Sequence, residues 1–309
     1  MTRKHAIRFA IIGAGRVGPV LGRLLVERGH RCTAVISRSG GSARRGRRFI
    51  GEGIAATGVG AIPEATRLIL ITAAHGAVEG IVSALAASRP SFRGIAICHA
   101  SGIHTAAVLE PLRRKGGTVF SFHPLQTFPR DLTHAEILPV ARGIPFGVDG
   151  SAAGIRKARV VARALGGSLL AIPPEMRVLY HAACVVASNH TTTLLWIVEQ
   201  AFARMGIGGK KGMGAIEPIV RATLKNAVAR QPERALSGPV ARGGTETVAA
   251  HCDSFSRFLP EFLPVFASVS LETVALAEKK GTASRESIQA MRRLLTPLCT
   301  PSNPKQEQP

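Results

Sequence analysis

Gly13-Ala14-Gly15-Arg16-Val17-Gly18 carries three glycines at the spacing of a dinucleotide-binding turn, Gly-x-Gly-x-x-Gly. The first glycine permits a tight turn, and the second lets backbone N–H groups approach a pyrophosphate. The third lets the following helix pack closely on the strand, whose partner helix then aims its positive end at the same phosphate. Gly13, Gly15, Arg16, Val17 and Gly18 are the expected cofactor contacts. Context gives the spacing its weight, because the chain holds 33 glycines. Ile7 to Ile12 reads as a buried strand, apolar but for Arg8. Val17, Val20, Leu21, Leu24 and Leu25 then recur at helical spacing, and Gly29 is placed to end the helix.

The residues after the next strand, about Arg31 to Ser37, choose between dinucleotides. An NAD enzyme places an acid on the ribose 2′-hydroxyl about 20 residues past the turn. No Asp or Glu occurs between Glu27 and Glu52; Ser37-Arg38-Ser39 stands there instead, followed by Arg44, Arg45, Arg47 and Arg48, for which the alternative is an ordinary solvated basic loop. A guanidinium among hydroxyls suits a 2′-phosphate, which a carboxylate would repel. The cofactor read from these residues is NADP.

Hydride transfer is cofactor chemistry; the protein must place a substrate and move one proton. A histidine with a pKa near 7 is the usual carrier. Two of the ten histidines stand out. His123 follows a β run and precedes Pro124, which puts it at a strand's carboxyl end; the alternative is a turn histidine held by backbone. His181 lies on a helical stretch, and Ser188, 700° further on at 100° per residue, shares its face. The alternative for that face is packing against a dimer mate. Asn189 lies 80° off the stripe and about 12 Å along the axis. Ser101, followed by Gly102, offers a hydroxyl to the cofactor ribose or a substrate carboxylate. Arg242 sits in a Gly/Pro-flanked loop before a helix starting near Thr245, a suitable place to hold a carboxylate. No HExxH or Cys/His cluster argues for a metal, and no GxSxG elbow for a serine hydrolase.

Alternation of short β runs and helical stretches fills the first half. Later strands fall at Leu68–Thr72, Gly94–His99, Val119–Phe122, Pro145–Val148 and 167–172. The pattern is α/β, a doubly wound, mainly parallel sheet. Ligands bind beyond the strand carboxyl ends, which carry Ala73-Ala74-His75, Ala100-Ser101-Gly102 and His123-Pro124, so Ala73 joins the cofactor set. Pro173-Pro174 breaks the pattern. Long helices follow: Met176–Met205 as one helix of about 30 residues, then stretches near Ile216–Ala229, Thr245–Phe255, Leu259–Lys279 and Arg285–Leu295. The expected domains are residues 1–173, binding the cofactor, and 174–299, all-α, for substrate and dimerisation, with a disordered tail at 300–309.

Forty Lys and Arg oppose 19 Asp and Glu, and residues 1–48 alone carry twelve basic residues against Glu27. Such a field attracts anions of every kind. Aromatics at 5% are too sparse for the stacking that single-stranded nucleic acid wants. The five cysteines are far apart, with no CxxC. No signal-like segment and no run of about 20 uncharged apolar residues appears, so a cytoplasmic enzyme off the membrane is expected. The helix after Pro174 is apolar around most of its girth, which predicts a homodimer.

The order of parts resembles the bacterial Rossmann-like/DUF2520 proteins, of the wider group with pyrroline-5-carboxylate, ketopantoate and 6-phosphogluconate dehydrogenase-like reductases. The resemblance is carried by the glycine turn, His99-Ala100-Ser101-Gly102 and Ser121-Phe122-His123-Pro124-Leu125-Gln126-Thr127-Phe128. Tyr180-His181-Ala182-Ala183, Ala187-Ser188-Asn189 and Gly238-Pro239-Val240-Ala241-Arg242-Gly243 complete it. It implies a Rossmann domain followed by a 6-phosphogluconate-dehydrogenase-like helical domain, and an NADP-dependent oxidoreductase acting on a small anionic keto, imino or hydroxy acid. It also implies that His123 contacts a substrate hydroxyl and that the helix bearing His181 offers Asn189 to the substrate. Two positions depart from the family: Ala73-Ala74-His75 replaces a Pro-Asp-Asp-like segment, and Gly244 replaces the acid of Arg-Gly-Asp. These departures keep a catalytically silent NADP-binding sensor open as the alternative.

Overall fold

A computed structural model describes residues 6–300; the tail expected beyond Thr300 lies outside the described residues. The chain divides into two compact units, 1–188 and 189–309.

The first unit runs β1 (Arg8–Ile12), α1 (Val17–Glu27), β2 (Arg31–Ile36), α2 (Gly40–Ile50), β3 (Ile54–Ala56), β4 (Leu68–Ile71), α3 (Val78–Ser88) and β5 (Ala96–His99). It continues with α4 (Glu110–Arg114), β6 (Thr118–Ser121), β7 (His123–Pro124), α5 (His134–Val140), β8 (Pro145–Val148), α6 (Ala152–Leu165), β9 (Ser168–Ala171) and α7 (Arg177–Val185). Six strands form a sheet in the order β3-β2-β1-β4-β5-β6, and every pair in it is parallel. The order reverses between β1 and β4, the switch point where open α/β sheets bind ligands. Both faces are covered. Phe9 and Ile11 of β1 join one buried cluster with Leu21, Leu24 and Leu70, and Ala10 and Ile12 join the other with Ile71, Val82 and Ile97. Two buried faces are why Phe9 to Ile12 of β1, and all of β4, read as unbroken apolar runs.

Three expectations give way. Pro145–Val148 and 167–172 do not extend the main sheet; β8 and β9 pair in parallel in a separate three-stranded sheet, with β7 antiparallel to β8. Arg44 to Arg48 lie on helix α2 rather than in a loop. Only Ala43, Gly46 and Ile50 of that helix are buried, and a face so small leaves little apolar period to read. Ser39 caps α2 by accepting from the Ser42 N–H over 3.2 Å, and Gly51 ends it at φ +103°. The third is the long helix. A single turn of 3-10 helix at Pro174–Met176 precedes α7, and a wider π-helical turn occupies Val186–His190. The division between the units falls inside that turn.

The second unit comprises α8 (Thr191–Arg204), α9 (Gly209–Arg230), α10 (Pro232–Ala235), α11 (Thr245–Phe258), α12 (Leu263–Lys280) and α13 (Arg285–Leu295). Its core gathers Val248, Cys252, Val274, Ile288, Met291 and Leu295. The helical stretch Pro260–Lys280 is long and apolar enough to cross a membrane by length and composition, although Glu261 and Glu272 keep it from being an uncharged run.

Candidate active site

Thr72, just past β4, holds the turn between β1 and α1. Its Oγ1 donates to the Gly13 carbonyl over 2.8 Å, while the Gly13 N–H donates to the Ile36 carbonyl over 2.8 Å. Gly13 sits at φ +111°, where a Cβ would strike the Thr72–Ala73 backbone, and a Cβ on Gly18 would strike the Gly13 carbonyl. Gly15 faces open space. Two glycines thus close the strand–helix packing, and the middle one leaves backbone open to a ligand. No acid occupies the first turn of α1, so its partial positive charge stands uncancelled. These features fit a pyrophosphate.

The segment after β7 is tied to this turn. His134 Nε2 donates to the Gly15 carbonyl over 2.8 Å, and the Arg16 guanidinium donates to the Arg130 carbonyl. A cleft of about 770 Å³ results, lined by Gly15, Arg16, Val17, Arg45, Arg130 and His134 as well as by Ala73, His75, Ser101 and His123. That volume is within the ordinary range for small-molecule sites, and among the described residues no carboxylate lines it.

The end of β2 is also free of acid. Glu52, the first carboxylate after Glu27, is occupied elsewhere: it accepts from the Cys32 N–H over 3.1 Å and pairs with Arg31 at 2.9 Å. Ser37, Arg38 and Ser39 lead instead into the capped N-terminus of α2, with Ser42 taking a bond from Arg45 over 3.0 Å. Hydroxyls, guanidinia and a helix N-terminus together make a phosphate-binding set.

Beyond β4, β5 and β6 the chain assembles a cluster of histidines. His75 Nδ1 lies 2.7 Å from Ser101 Oγ, and the His104 N–H donates to the same oxygen over 3.2 Å. His99 Nε2 donates to the Thr105 carbonyl over 3.0 Å, which leaves its Nδ1 to accept the Ser101 N–H over 3.2 Å. His123 Nδ1 is 2.8 Å from Tyr180 Oη. Two glycines make room for this group. A Cβ on Gly102 would collide with the His181 ring and crowd His123 Nε2, and a Cβ on Gly147 would collide with Tyr180 Oη.

Arg177 lies beneath, 1% exposed. It donates to the Gly102 carbonyl over 2.9 Å, to the Ser101 carbonyl over 2.8 Å and to the Gly147 carbonyl over 3.3 Å. Its ion-pair partner, at 3.4 Å, is the buried Asp149. Asp149 also accepts from the Ala106 N–H over 2.6 Å and from Ser121 Oγ over 2.5 Å. One buried pair therefore fixes the Ser101–Gly102 turn against β8.

Burial, then the Arg177 charge and the neighbouring histidines, push His123 down to about 3. Burial likewise lowers His99 to about 4 and lowers His75. The expectation of a histidine titrating near 7 thus fails at His123: its ring is neutral at physiological pH. Burial raises the Tyr180 hydroxyl above its ordinary value, so Tyr180 keeps its proton and donates to Nδ1. Nε2 then carries the ring proton, an assignment that follows from the hydrogen-bond network. A neutral, oriented imidazole N–H can polarise a substrate carbonyl or imine without being an acid.

Of the residues expected from sequence, Gly15, Arg16, Val17, Ala73, Ser101 and His123 share one cleft. Gly13 and Gly18 pack under the turn. Ser37, Arg38 and Ser39 stand at the β2 end, outside the cleft lining. His181 lies beside His123, with ring centroids 5.9 Å apart. Ser188 falls on the π turn, where 100° per residue no longer holds, and its hydroxyl donates to the Cys184 carbonyl over 2.8 Å. Asn189 and Arg242 belong to the second unit, both exposed. Arg177, Asp149 and the His75–Ser101 contact escaped the sequence reading. Asp149, an acid closing the apolar strand Pro145–Val148, was the one signal available.

Residues 2–124 match the Rossmann-like domain, and residues 144–273 match DUF2520, described as a domain of unknown function. No curated protein matches the chain. Among solved structures, a Thermotoga maritima protein superposes with a TM-score of 0.70 at 19% identity, covering 87% of this chain and 99% of that one. An imine reductase from Pseudomonas sp. gives 0.56 at 20% identity, with 93% and 91% covered. An imine reductase from Myxococcus stipitatus in complex with NADP+ gives 0.59 at 16%, with 94% and 93% covered. At such identities the likeness is one of fold: a Rossmann-like sheet domain followed by a helical region. The chain thus carries a Rossmann-like domain followed by a DUF2520 domain.

Proposed function

We propose that this chain is an NADP(H)-dependent oxidoreductase acting on a small anionic keto, imino or hydroxy acid. The observation that carries the reading is one acid-free cleft that runs from the glycine turn to His123 and Ser101. The glycine turn and α1 would hold the pyrophosphate, and Ser37, Arg38 and Ser39 the 2′-phosphate. The dinucleotide supplies hydride when bound. Neutral His123, oriented by Tyr180, donates its Nε2–H to the substrate heteroatom. Arg16, Arg45 and Arg130 on the cleft wall favour anionic substrates.

Turnover tests the reading. NADPH oxidation is expected with at least one member of a panel of 2-keto acids and cyclic imino acids. NADP binding with no turnover on any of them would favour the silent sensor. Gly244 does not argue for that sensor. It opens α11 with no side-chain cap, so an acid there would serve as a helix cap, and its loss costs a few tenths of a kcal/mol.

We also propose a homodimer. Val178 and Leu179 in the first unit, and Leu194 and Trp196 in the second, are between 41% and 68% exposed, apolar side chains on each unit that a second copy would cover. Light scattering at micromolar concentration is expected to give twice the chain mass; a monomer there refutes the dimer. The cytoplasm is the proposed location, and the five free cysteines suit a reducing compartment.

A further inference from the structure

We propose that Ser101 is the proton donor of this site and that His75 relays protons to it from solvent. The inference rests on the oxidoreductase reading above. The two side chains meet at 2.7 Å, Nδ1 to Oγ, and both line the cleft that holds His123. They also span it in depth: His75 is exposed at the mouth, and Ser101 is 2% exposed at the floor.

The Ser101 hydroxyl is built in. The His104 N–H fills one lone pair, the backbone N–H is held by His99, and Arg177 pins the carbonyl. When His75 Nδ1–H donates into the second lone pair, the hydroxyl hydrogen is left for the cleft. A hydroxyl presented this way is a donor to a substrate oxygen or nitrogen.

Elimination supports the same pair. His123 is neutral, and losing its Nε2 proton would require Tyr180 to give up a proton that burial makes it retain. That pair therefore orients and polarises. No carboxylate lines the cleft, and its guanidinia hold their protons too tightly to give them up. His134, the remaining imidazole, is spent on the Gly15 carbonyl.

The step balances. The substrate carbon gains a hydride from the reduced dinucleotide, and its heteroatom takes the Ser101 Oγ proton. Ser101 Oγ takes the His75 Nδ1 proton, and His75 Nε2 takes one from solvent water. The imidazole ends neutral, as the other tautomer, and one solvent proton has been consumed. His104 and His181 flank the ring at centroid distances of 6.4 and 5.8 Å, and they contribute to keeping it uncharged.

His75 carries the test because its exposure lets variants fold. The full chain is assayed with NADPH and two probes, pyruvate and 1-pyrroline-2-carboxylate. His75→Gln is expected to lower kcat about 10- to 100-fold, to enlarge the solvent deuterium isotope effect, and to leave NADPH affinity within about twofold. Added imidazole should restore activity to His75→Gly but not to His75→Gln, a rescue that a purely structural histidine would not show. Independently of activity, the His75 Nδ1 resonance in the nitrogen NMR spectrum should move in Ser101→Ala. His75→Gln at wild-type kcat, or His75→Gly indifferent to imidazole, overturns the relay and spares the oxidoreductase reading. A wild-type chain that binds NADPH yet reduces neither these probes nor any other member of the keto- and imino-acid panel overturns both.

Discussion

His123→Asn is expected to lower kcat/KM about 100-fold while leaving NADPH affinity unchanged, because the lost group faces the substrate end of the cleft. Asn can still meet Tyr180 Oη but cannot extend an N–H to the Nε2 position. The pH profile separates this role from that of an acid. An ordinary histidine titrates near 6.5, whereas burial and the Arg177 charge hold His123 near 3. Wild type and His123→Asn should therefore show parallel profiles between about pH 5 and 8. An inflection near 6.5 that disappears in the variant would make His123 a titrating acid and contradict the account. The same lowering fixes the sign of a stability effect. Below about pH 6.5 the unfolded chain binds a proton that the folded site refuses, so His123 costs stability progressively as pH falls toward its folded value.

Arg177→Met should destabilise the protein by about 3–5 kcal/mol. The side chain is nearly volume-matched, so a cavity contributes little. The cost comes from Asp149, left buried without its counter-ion, and from the Ser101, Gly102 and Gly147 carbonyls, which lose their donors. Urea unfolding followed by far-ultraviolet circular dichroism measures it. Removing both charges, in Arg177→Met with Asp149→Asn, should recover part of the loss, because the pair is coupled. A single variant within about 1 kcal/mol of wild type would show that the buried pair holds nothing in place.

Legibility in the sequence followed the number of buried neighbours that are local in the chain. β1 and β4 are buried on both faces, and their apolar runs could be found by inspection. The Gly13–Gly18 turn was legible because strand, glycines and helix are contiguous. Helix α2 was not, since small residues at positions 43 and 46 bury its face between arginines. The second sheet was missed for another reason: β8 and β9 look like main-sheet strands, and the antiparallel pairing of the two-residue β7 with β8 has no local signal. At the site, His123, Ser101 and Ala73 could be placed by the strand-end rule alone. Arg177 and Asp149 are 28 positions apart, and no local pattern announces a pair formed across the fold. His75 was visible at a strand end and as a departure from a family pattern; its contact with Ser101 needs β4 and β5 side by side. The low pKa of His123 comes first from burial and then from the Arg177 charge, both set by the tertiary fold, and so was as hidden as Arg177.

Cofactor choice tests the central claim most directly. Fluorescence titration of the full chain should give NADPH at least about tenfold tighter binding than NADH, about 1.4 kcal/mol, with Arg38→Asp reversing the order. Equal affinities, or tighter binding of NADH by the unaltered chain, would contradict the account.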